Sequence, residues 1–193
     1  MITHIQGKLV EKNPTDVVID CNGIGYLINI SLHTFSQIPD QEALKLYTHL
    51  QVREDAHTLY GFASLAEREL FRLLISVSGI GTNTARTMLS SLTPKQIREG
   101  IATEDVALIK SIKGIGLKTA QRVIIDLKDK ILKIYDIDEV SVSQNNTNKD
   151  EALSALEVLG FAKKQAEKVI DKIVASEPEA NVETIIKLAL KNL

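Results

Sequence analysis

The first third of the chain alternates apolar and polar positions in short runs, which is the pattern of half-buried β-strands. The runs are rich in Val, Ile, Leu, Thr and Tyr, and residues that favour turns separate them. The sequence predicts five strands, at 3–12, 15–21, 25–32, 44–52 and 57–63. Asn22 and Gly23 both tolerate the positive φ of a two-residue hairpin turn. Five short strands in a segment of this size favour a small closed barrel of the OB type.

After this segment the apolar spacing changes to that of helices, and residues 64–135 are predicted to form a series of short helices. The helix-start signals are Ser64 as an N-cap with Glu67 as its capping-box partner, Thr93 before Pro94, and Thr103 before two acidic residues. The central part of the chain is therefore predicted to be all-α.

The last third divides into a polar stretch and a second helical region. Residues 136–149, DIDEVSVSQNNTNK, have no helical stripe and predict a flexible linker. Residues 150–193 predict a three-helix bundle of UBA-like size, with Gly160 as a C-cap and Asn181 as an N-cap. The expected fold is multidomain α+β, with a barrel at 1–63 and the two helical domains after it.

Two octets with the same Gly-Ile-Gly centre lie 35 positions apart, SGIGTNTA at 78–85 and KGIGLKTA at 113–120. Each follows an apolar helix end and precedes a helix that starts near Thr82 or Leu117. Glycines allow a tight turn and a close approach, and the first amides of the next helix attract an anion. A DNA phosphate is the expected anion. A plain connection between two helices is the alternative.

Two nucleotide sites are excluded by single positions in the octets. A dinucleotide fingerprint would need a third glycine where Thr84 and Thr119 stand, after a strand. A Walker loop would need glycine immediately before Lys118, where Leu117 stands. No nucleotide cofactor is therefore expected.

The basic residues are concentrated in the segment that carries both octets. Residues 64–135 hold 12 Lys or Arg against 7 Asp or Glu, whereas the flanking segments are acidic and the whole chain has a net charge of -2. This distribution suits a nucleic-acid surface, although a solvated face would also explain it. With 4% aromatic residues and no tryptophan, stacking on single-stranded bases is disfavoured.

Composition excludes several other classes of site. A single cysteine, Cys21, cannot form a disulfide within the chain and fits a reducing cytoplasm. The four histidines have no spacing typical of a metal site or a catalytic triad. The sequence shows neither a membrane-spanning run nor a signal peptide, so we expect no membrane and no metal.

The order of barrel, paired Gly-Ile-Gly hairpins, linker and terminal helices resembles the RuvA family of Holliday-junction-binding subunits. The resemblance covers the whole chain and is sharpest in QVREDAHTLYGF at 51–62 and in the two repeats. It implies tandem helix-hairpin-helix motifs and a non-catalytic homotetramer, or an octamer on DNA, that holds a four-way junction open. It also implies recruitment of the hexameric ATPase RuvB for branch migration in recombination, repair and the SOS response, with a junction resolvase as a further partner.

The resemblance assigns phosphate binding to the two turns and their flanks, without base readout. The residues implied are Ser78, Gly79, Gly81, Lys113, Gly114, Gly116, Lys118 and Arg122. The first hairpin departs from the family, which usually has a lysine where Asn83 stands. We therefore expect the first site to depend more on backbone amides than the second.

Glu54 and Asp55 interrupt a strand-like run and predict an acidic loop between two barrel strands. By resemblance this loop is the acidic pin at the junction centre. A carboxylate about 5 Å from a phosphate repels it by about 1 kcal/mol in water. The alternative is an acidic turn that is simply exposed to solvent and has no role in binding. A magnesium site is disfavoured, because two adjacent carboxylates without a third acidic partner bind the ion poorly.

The terminal helices carry more apolar residues than so small a core can cover, which indicates a protein partner. By resemblance the partner is RuvB, with Leu156, Leu159 and Phe161 as the predicted contacts. Two other classes of function remain open. One is a helix-hairpin-helix repair nuclease or glycosylase using Lys118 and Asp126, and the other is a pure protein-interaction module.

Overall fold

The computed structural model describes residues 1–39, 42–139, 144–177 and 180–193. These residues form two compact units, Met1–Lys133 and Ile134–Leu193. Within the described residues, no helix combines the length and the apolar character that a membrane crossing needs.

The N-terminal strands close into a five-stranded barrel, which confirms the predicted OB-like architecture. The strands are β1 (His4–Lys12), β2 (Asp16–Cys21), β3 (Ile24–Ile30), β4 (Ala43–Val52) and β5 (His57–Phe62). Their order around the barrel is β1-β2-β3-β5-β4, and all pairs are antiparallel except β3 with β5. Alternate side chains point inward and form the barrel core, among them Val17, Ile19, Ile28, Ile30 and Leu46.

The predicted hairpin turn between β2 and β3 is confirmed. Asn22 and Gly23 have φ values of 55° and 90°, so both occupy the left-handed region. A short helix that the pattern did not predict, α1 (Leu32–Gln37), follows β3, and Ser31 caps it by accepting from the Thr34 amide. Six residues are too few to show a helical period, which is why α1 was missed.

Five helices follow the barrel along the chain. They are α2 (Leu65–Ile75), α3 (Thr82–Ser91), α4 (Pro94–Ala102), α5 (Val106–Lys110) and α6 (Leu117–Glu139). Phe71 of α2 is fully buried, and its ring lies 5.2 Å from the ring of Tyr60 and 4.9 Å from that of Phe62 on β5. These aromatic contacts pack α2 against the barrel within the first compact unit.

The predicted capping box at the start of α2 is only half correct. Ser64 caps the helix by accepting from the Glu67 amide, as predicted. The Glu67 carboxylate does not return to Ser64, because it is fully buried and accepts from Ser31 Oγ at 2.6 Å and Thr34 Oγ1 at 2.7 Å. Glu67 therefore joins α2 to α1 across the barrel edge.

The other two helix starts differ in outcome. Thr93 forms the complete capping box of α4 with Gln96. The prediction that Thr103 starts a helix is wrong, because Thr103 ends α4 and Asp105 caps α5. Between them Glu104 takes a left-handed φ of 59°, and this residue separates the two helices.

Helix extends into both ends of the predicted linker. Helix α6 continues to Glu139, and α7 (Gln144–Val158) begins at Gln144. The prediction of a flexible linker over 136–149 is therefore wrong at both ends, and residues 140–143 lie outside the described residues. A polar residue can lengthen an existing helix because each addition brings a hydrogen bond without a new nucleus.

The C-terminal unit contains the predicted three-helix bundle of α7, α8 (Lys163–Ser176) and α9 (Val182–Asn192). Its core consists of Ala152, Leu156, Ala166, Ile170, Ile173, Ile185 and Ala189. Gly160 follows α7 with a φ of 97°, and Asn181 caps α9 by accepting from the Thr184 amide. Both predicted caps are confirmed.

Candidate nucleic-acid interface

The turn between α2 and α3 exposes its backbone and buries its apolar side chains. Val77 and Ile80 point into the core, whereas Ser78, Gly79 and Gly81 are exposed. The Ile80 amide donates to the Val77 carbonyl oxygen at 3.0 Å, and Gly79 has a φ of 94° between them. The two apolar side chains thus hold the turn while its glycines face outward.

The turn between α5 and α6 repeats this arrangement. Ile112 and Ile115 are buried, and the Ile115 amide donates to the Ile112 carbonyl oxygen at 3.1 Å. Gly114 has a φ of 89°, which matches the first turn. The two copies of the sequence repeat therefore form the same backbone hydrogen bond, from Ile80 to Val77 in the first turn and from Ile115 to Ile112 in the second.

The four exposed glycines face open space, so their lack of a side chain is not explained by packing within the chain. A Cβ built on Gly79, Gly81, Gly114 or Gly116 meets no heavy atom within 4 Å. Gly79 and Gly114 need glycine for their positive φ. Gly81, at φ -87° and ψ 170°, has a backbone that any residue adopts. Glycine is among the residues favoured at an N-cap, so a plain helix connection also explains Gly81, and the open space in front of it leaves room for close approach by another molecule.

The helices after both turns begin in the same way. The Ala85 amide donates to the Gly81 carbonyl oxygen, and the Ala120 amide donates to that of Gly116, each at 2.9 Å. The N-terminus of α3 receives no side-chain cap. Amides of a first helical turn lack acceptors within their own helix, and they carry the positive end of the dipole. Such a helix end suits a phosphate.

The side chains beside the two turns differ in charge. Lys113 and Lys118 are exposed at the second turn, whereas Ser78 and Asn83 at the first are neutral. Lys113 and Lys118 are the two lysines for which the family resemblance implies phosphate binding, and both lie at the exposed second turn. The second turn therefore carries exposed positive side chains at positions where the first turn has neutral ones.

Arg122 connects the two turns. Its Nη1 donates to the Ser78 carbonyl oxygen at 3.2 Å, although Arg122 lies on α6 and Ser78 lies 44 residues earlier. The family resemblance implied only a phosphate contact for Arg122, and the sequence analysis did not predict this contact between the hairpins. It brings two of the predicted site residues together.

The acidic pair lies on the loop that joins β4 to β5. Val52 and His57 form the last pair of the two strands, and the Arg53 amide donates to the Ala56 carbonyl oxygen at 2.8 Å. Glu54 and Asp55 occupy the exposed tip of this tight loop, as the sequence predicted. We call residues 53–56 the acidic loop.

Three polar side chains that the sequence analysis did not single out connect the barrel to the first hairpin. The Tyr60 hydroxyl donates to Thr82 Oγ1 at 2.9 Å, and Thr82 Oγ1 donates to Gln51 Oε1 at 2.9 Å. One feature of the sequence could have drawn attention to Thr82. When the two repeats are aligned with a shift of 35 residues, Thr82 in the first repeat corresponds to the apolar Leu117 in the second.

The predicted contacts on the terminal bundle are only partly available. Leu156 is fully buried in the core of the bundle, so the prediction that it binds a partner is wrong. Phe161 is half-buried against the same core, and Leu159 is 59% exposed. Val158, which the sequence analysis did not single out, is 85% exposed and lines an open groove with Leu159 and Ile186.

The residues proposed for an enzyme do not converge. Lys118 and Asp126 lie on the same helix, and eight residues correspond to about 12 Å along its axis. Over the ranges that the structure describes, no three His, Cys, Asp or Glu side chains group in a way that could hold a metal ion.

Family models match three parts of the chain. Residues 1–61 match the RuvA N terminal domain, residues 71–129 match the SAM-like Helix-hairpin-helix tandem, and residues 147–193 match the RuvA C-terminal domain. The matched segments follow the barrel, the paired hairpins and the terminal bundle in order.

Whole-length relatives agree with the domain matches. A protein of Christiangramia forsetii and one of Flavobacterium psychrophilum are each 69% identical over 193 residues, which is 100% of both chains. A protein of Bacteroides fragilis is 50% identical over 202 aligned positions, again with full coverage. All three are named Holliday junction branch migration complex subunit RuvA.

Proposed function

The chain belongs to the RuvA family, and on that premise we propose that it is the Holliday-junction-binding subunit of a branch migration complex. The observation that carries the proposal is the pair of matching turns, whose exposed glycines present main-chain amides to open space. Its role is that of a scaffold, and the chemistry of ATP hydrolysis belongs to the RuvB partner.

DNA binding in this proposal occurs through phosphates on the minor-groove side of the duplex arms. Backbone amides contact the phosphates closely because Gly81 and Gly116 add no bulk, while Lys113 and Lys118 add charge at the second turn. Phosphate contacts carry no sequence information. The protein therefore recognises the shape of a branched duplex.

The acidic loop provides the preference for a junction. In the proposed homotetramer, four copies of Glu54 and Asp55 gather around the point where strands exchange. Each carboxylate repels nearby phosphates, and the repulsion increases where water is excluded. The strands are thereby kept apart at the crossover, and the arms stay unstacked.

The terminal bundle recruits the motor. Val158 and Leu159 expose apolar surface in the groove that they line with Ile186, and such surface on a small module fits a protein partner. In our proposal this partner is the RuvB ATPase. A junction resolvase is a further partner of the same complex. The complex acts in the bacterial cytoplasm.

A binding experiment tests the proposed function. It compares labelled four-way junctions with linear duplex of the same arm sequences, both in the presence of magnesium. We expect retarded complexes with intact strands and at least about tenfold tighter binding to the junction. Cleaved product strands would favour the nuclease alternative, and absence of DNA binding at low salt would favour a protein-interaction module. Light scattering with and without junction measures the oligomeric state.

A further inference from the structure

The hydroxyl of Thr82 forms a buried contact between two parts of the proposed interface. Thr82 is 4% exposed, and its Oγ1 accepts from Tyr60 on β5 and donates to Gln51 on β4, both at 2.9 Å. A hydroxyl has one donor, and here that donor and an acceptor site are both used. The bond from Tyr60 is buried and the bond to Gln51 is part-buried, and hydrogen bonds shielded from water in this way limit movement of the groups they join.

This contact lies between the two parts of the proposed interface. Gln51 lies two residues before the acidic loop, and Tyr60 lies four residues after it. Thr82 is the first residue of α3, directly after Gly81. The contact therefore joins the strand pair that carries the carboxylates to the helix end that carries the phosphate-binding amides.

The second hairpin lacks the side chain needed for this contact. Leu117 stands at the position equivalent to Thr82 and is 50% exposed. The second hairpin instead contacts the first, through Arg122 and the Ser78 carbonyl oxygen. The two turns thus have matching backbones but different attachments to the rest of the unit.

We propose that Thr82 is a positioning residue for junction recognition, whose hydroxyl fixes the spacing between the acidic loop and the amides of the first hairpin. This inference rests on the proposed function. A junction must satisfy the hairpins on its arms and the carboxylates at its centre simultaneously, whereas linear duplex uses the hairpins alone. Loosening the Thr82 contact therefore weakens junction binding and leaves duplex binding unchanged.

Thr82→Val removes the hydroxyl and keeps the shape of the side chain. Both hydrogen bonds of the hydroxyl, from Tyr60 and to Gln51, are lost, so we expect the Kd for the junction to rise at least about fivefold, with the Kd for duplex unchanged. Thr82→Ser retains the hydroxyl and restores the preference. Thr87→Val is the matched control on α3, because its hydroxyl donates only within the helix, to the Asn83 carbonyl oxygen at 3.0 Å.

A second measurement uses no DNA and therefore separates this inference from the proposed function. Spin labels on Asp55→Cys and Asn83→Cys, in a Cys21→Ser background, report the distance between the acidic loop and the first hairpin. We expect a narrow distance distribution in the parent and in Thr87→Val, and a broader one in Thr82→Val. If Thr82→Val lowers the yield of folded protein, Gln51→Met removes the hydrogen bond to β4 and keeps the one from Tyr60, and we expect it to broaden the distribution to a smaller extent.

The outcomes distinguish the two proposals. If the parent protein binds junction and duplex equally, the proposed function fails, and the spin-label distances still decide whether Thr82 fixes the spacing. If the parent prefers junctions and Thr82→Val keeps that preference and the narrow distribution, the positioning role of Thr82 is overturned.

Discussion

The guanidinium of Arg122 donates from Nη1 to the Ser78 carbonyl oxygen at 3.2 Å and so connects the two hairpins. Ser78 belongs to the exposed turn of the first hairpin, and Arg122 follows the turn of the second. A guanidinium has five N–H donors, so this contact leaves others for a phosphate. We infer that Arg122 contributes both charge and alignment of the two turns.

Arg122→Lys is expected to separate those contributions. The charge remains, so the dependence of log K on log salt keeps its slope, but junction affinity falls about fivefold because a lysine cannot reproduce the planar set of donors.

Lys118→Ala instead lowers the slope by about 0.9, the value for one lost phosphate contact. Binding titrations over a salt series measure both quantities. Lys95→Ala, on the exposed side of α4, is the control and leaves the slope unchanged.

Gly116→Val is expected to weaken junction binding while leaving the fold intact. A Cβ at Gly116 meets no atom within 4 Å and the backbone φ is ordinary, so the free energy of unfolding falls by less than about 1 kcal/mol. Junction affinity falls about thirtyfold, because two amide contacts of about 1 kcal/mol each are blocked. Gly114→Val, with φ at 89°, also loses about 1–2 kcal/mol of stability. Chemical denaturation and junction titrations check the pair, and unchanged binding by Gly116→Val contradicts the amide site.

Glu54→Gln combined with Asp55→Asn is expected to keep or increase affinity and to reduce the preference for junctions over duplex. Each carboxylate repels a nearby phosphate by about 1 kcal/mol, and the amides do not. Competition titrations with both DNAs measure the preference. Glu11→Gln combined with Asp129→Asn removes the same charge from exposed positions outside the loop and serves as the control. Loss of junction affinity in the loop variant would show that the carboxylates do not act by repulsion.

Glu67→Gln is expected to destabilise the N-terminal unit by about 1–3 kcal/mol. The carboxylate accepts from two hydroxyls, Ser31 and Thr34, and an amide nitrogen cannot accept from either. Urea unfolding measures the free energy. Glu69→Gln on the same helix is the control, because the Glu69 carboxylate is exposed and its pairs with the partly buried Arg68 and Arg72 are worth about 0–1 kcal/mol. Equal stabilities of the two variants would mean that the buried hydrogen bonds of Glu67 contribute little.

His49 is expected to make the unit less stable in mild acid. Burial lowers the pKa of His49, and the charges of Arg72 and Arg68 lower it further against the opposing effect of Glu69. Since the folded state disfavours the proton, the unfolded state binds more protons, and stability falls as pH decreases through the ordinary histidine range. Urea midpoints between about pH 7.5 and about pH 5.5 should fall less in His49→Asn than in the parent. Parallel curves would contradict this assignment.

The local elements were predictable because they depend on neighbours along the chain. The alternation that predicts five strands, the turn at Asn22 and Gly23, and the cap at Thr93 involve residues a few positions apart. Where a competing long-range partner exists, the local rule fails. Glu67 has the spacing of a capping box, but the hydroxyls of Ser31 and Thr34 are nearer to its carboxylate in the folded unit.

The candidate site divides in the same way. The Gly-Ile-Gly repeat, the flanking lysines and the acidic loop are visible in the sequence, and the structure places them on turns with exposed tips. The contacts that relate these parts to one another are not visible, because Thr82 and Gln51 are 31 residues apart and Arg122 and Ser78 are 44 apart. On the terminal bundle, Leu156 and Leu159 look alike in sequence, yet one is buried and the other exposed.

The sequence alone determined the five strands, the hairpin turn and most of the helices, and it located the charged residues and the exposed glycines, since periodicity and turn chemistry act over a few residues. Tertiary structure decided which apolar side chains are covered, which polar side chains find partners, and how the acidic loop is held relative to the first hairpin. The physical reason is that burial and hydrogen bonding depend on what packs against a side chain. A periodic pattern defines a face but does not specify the segment that covers it.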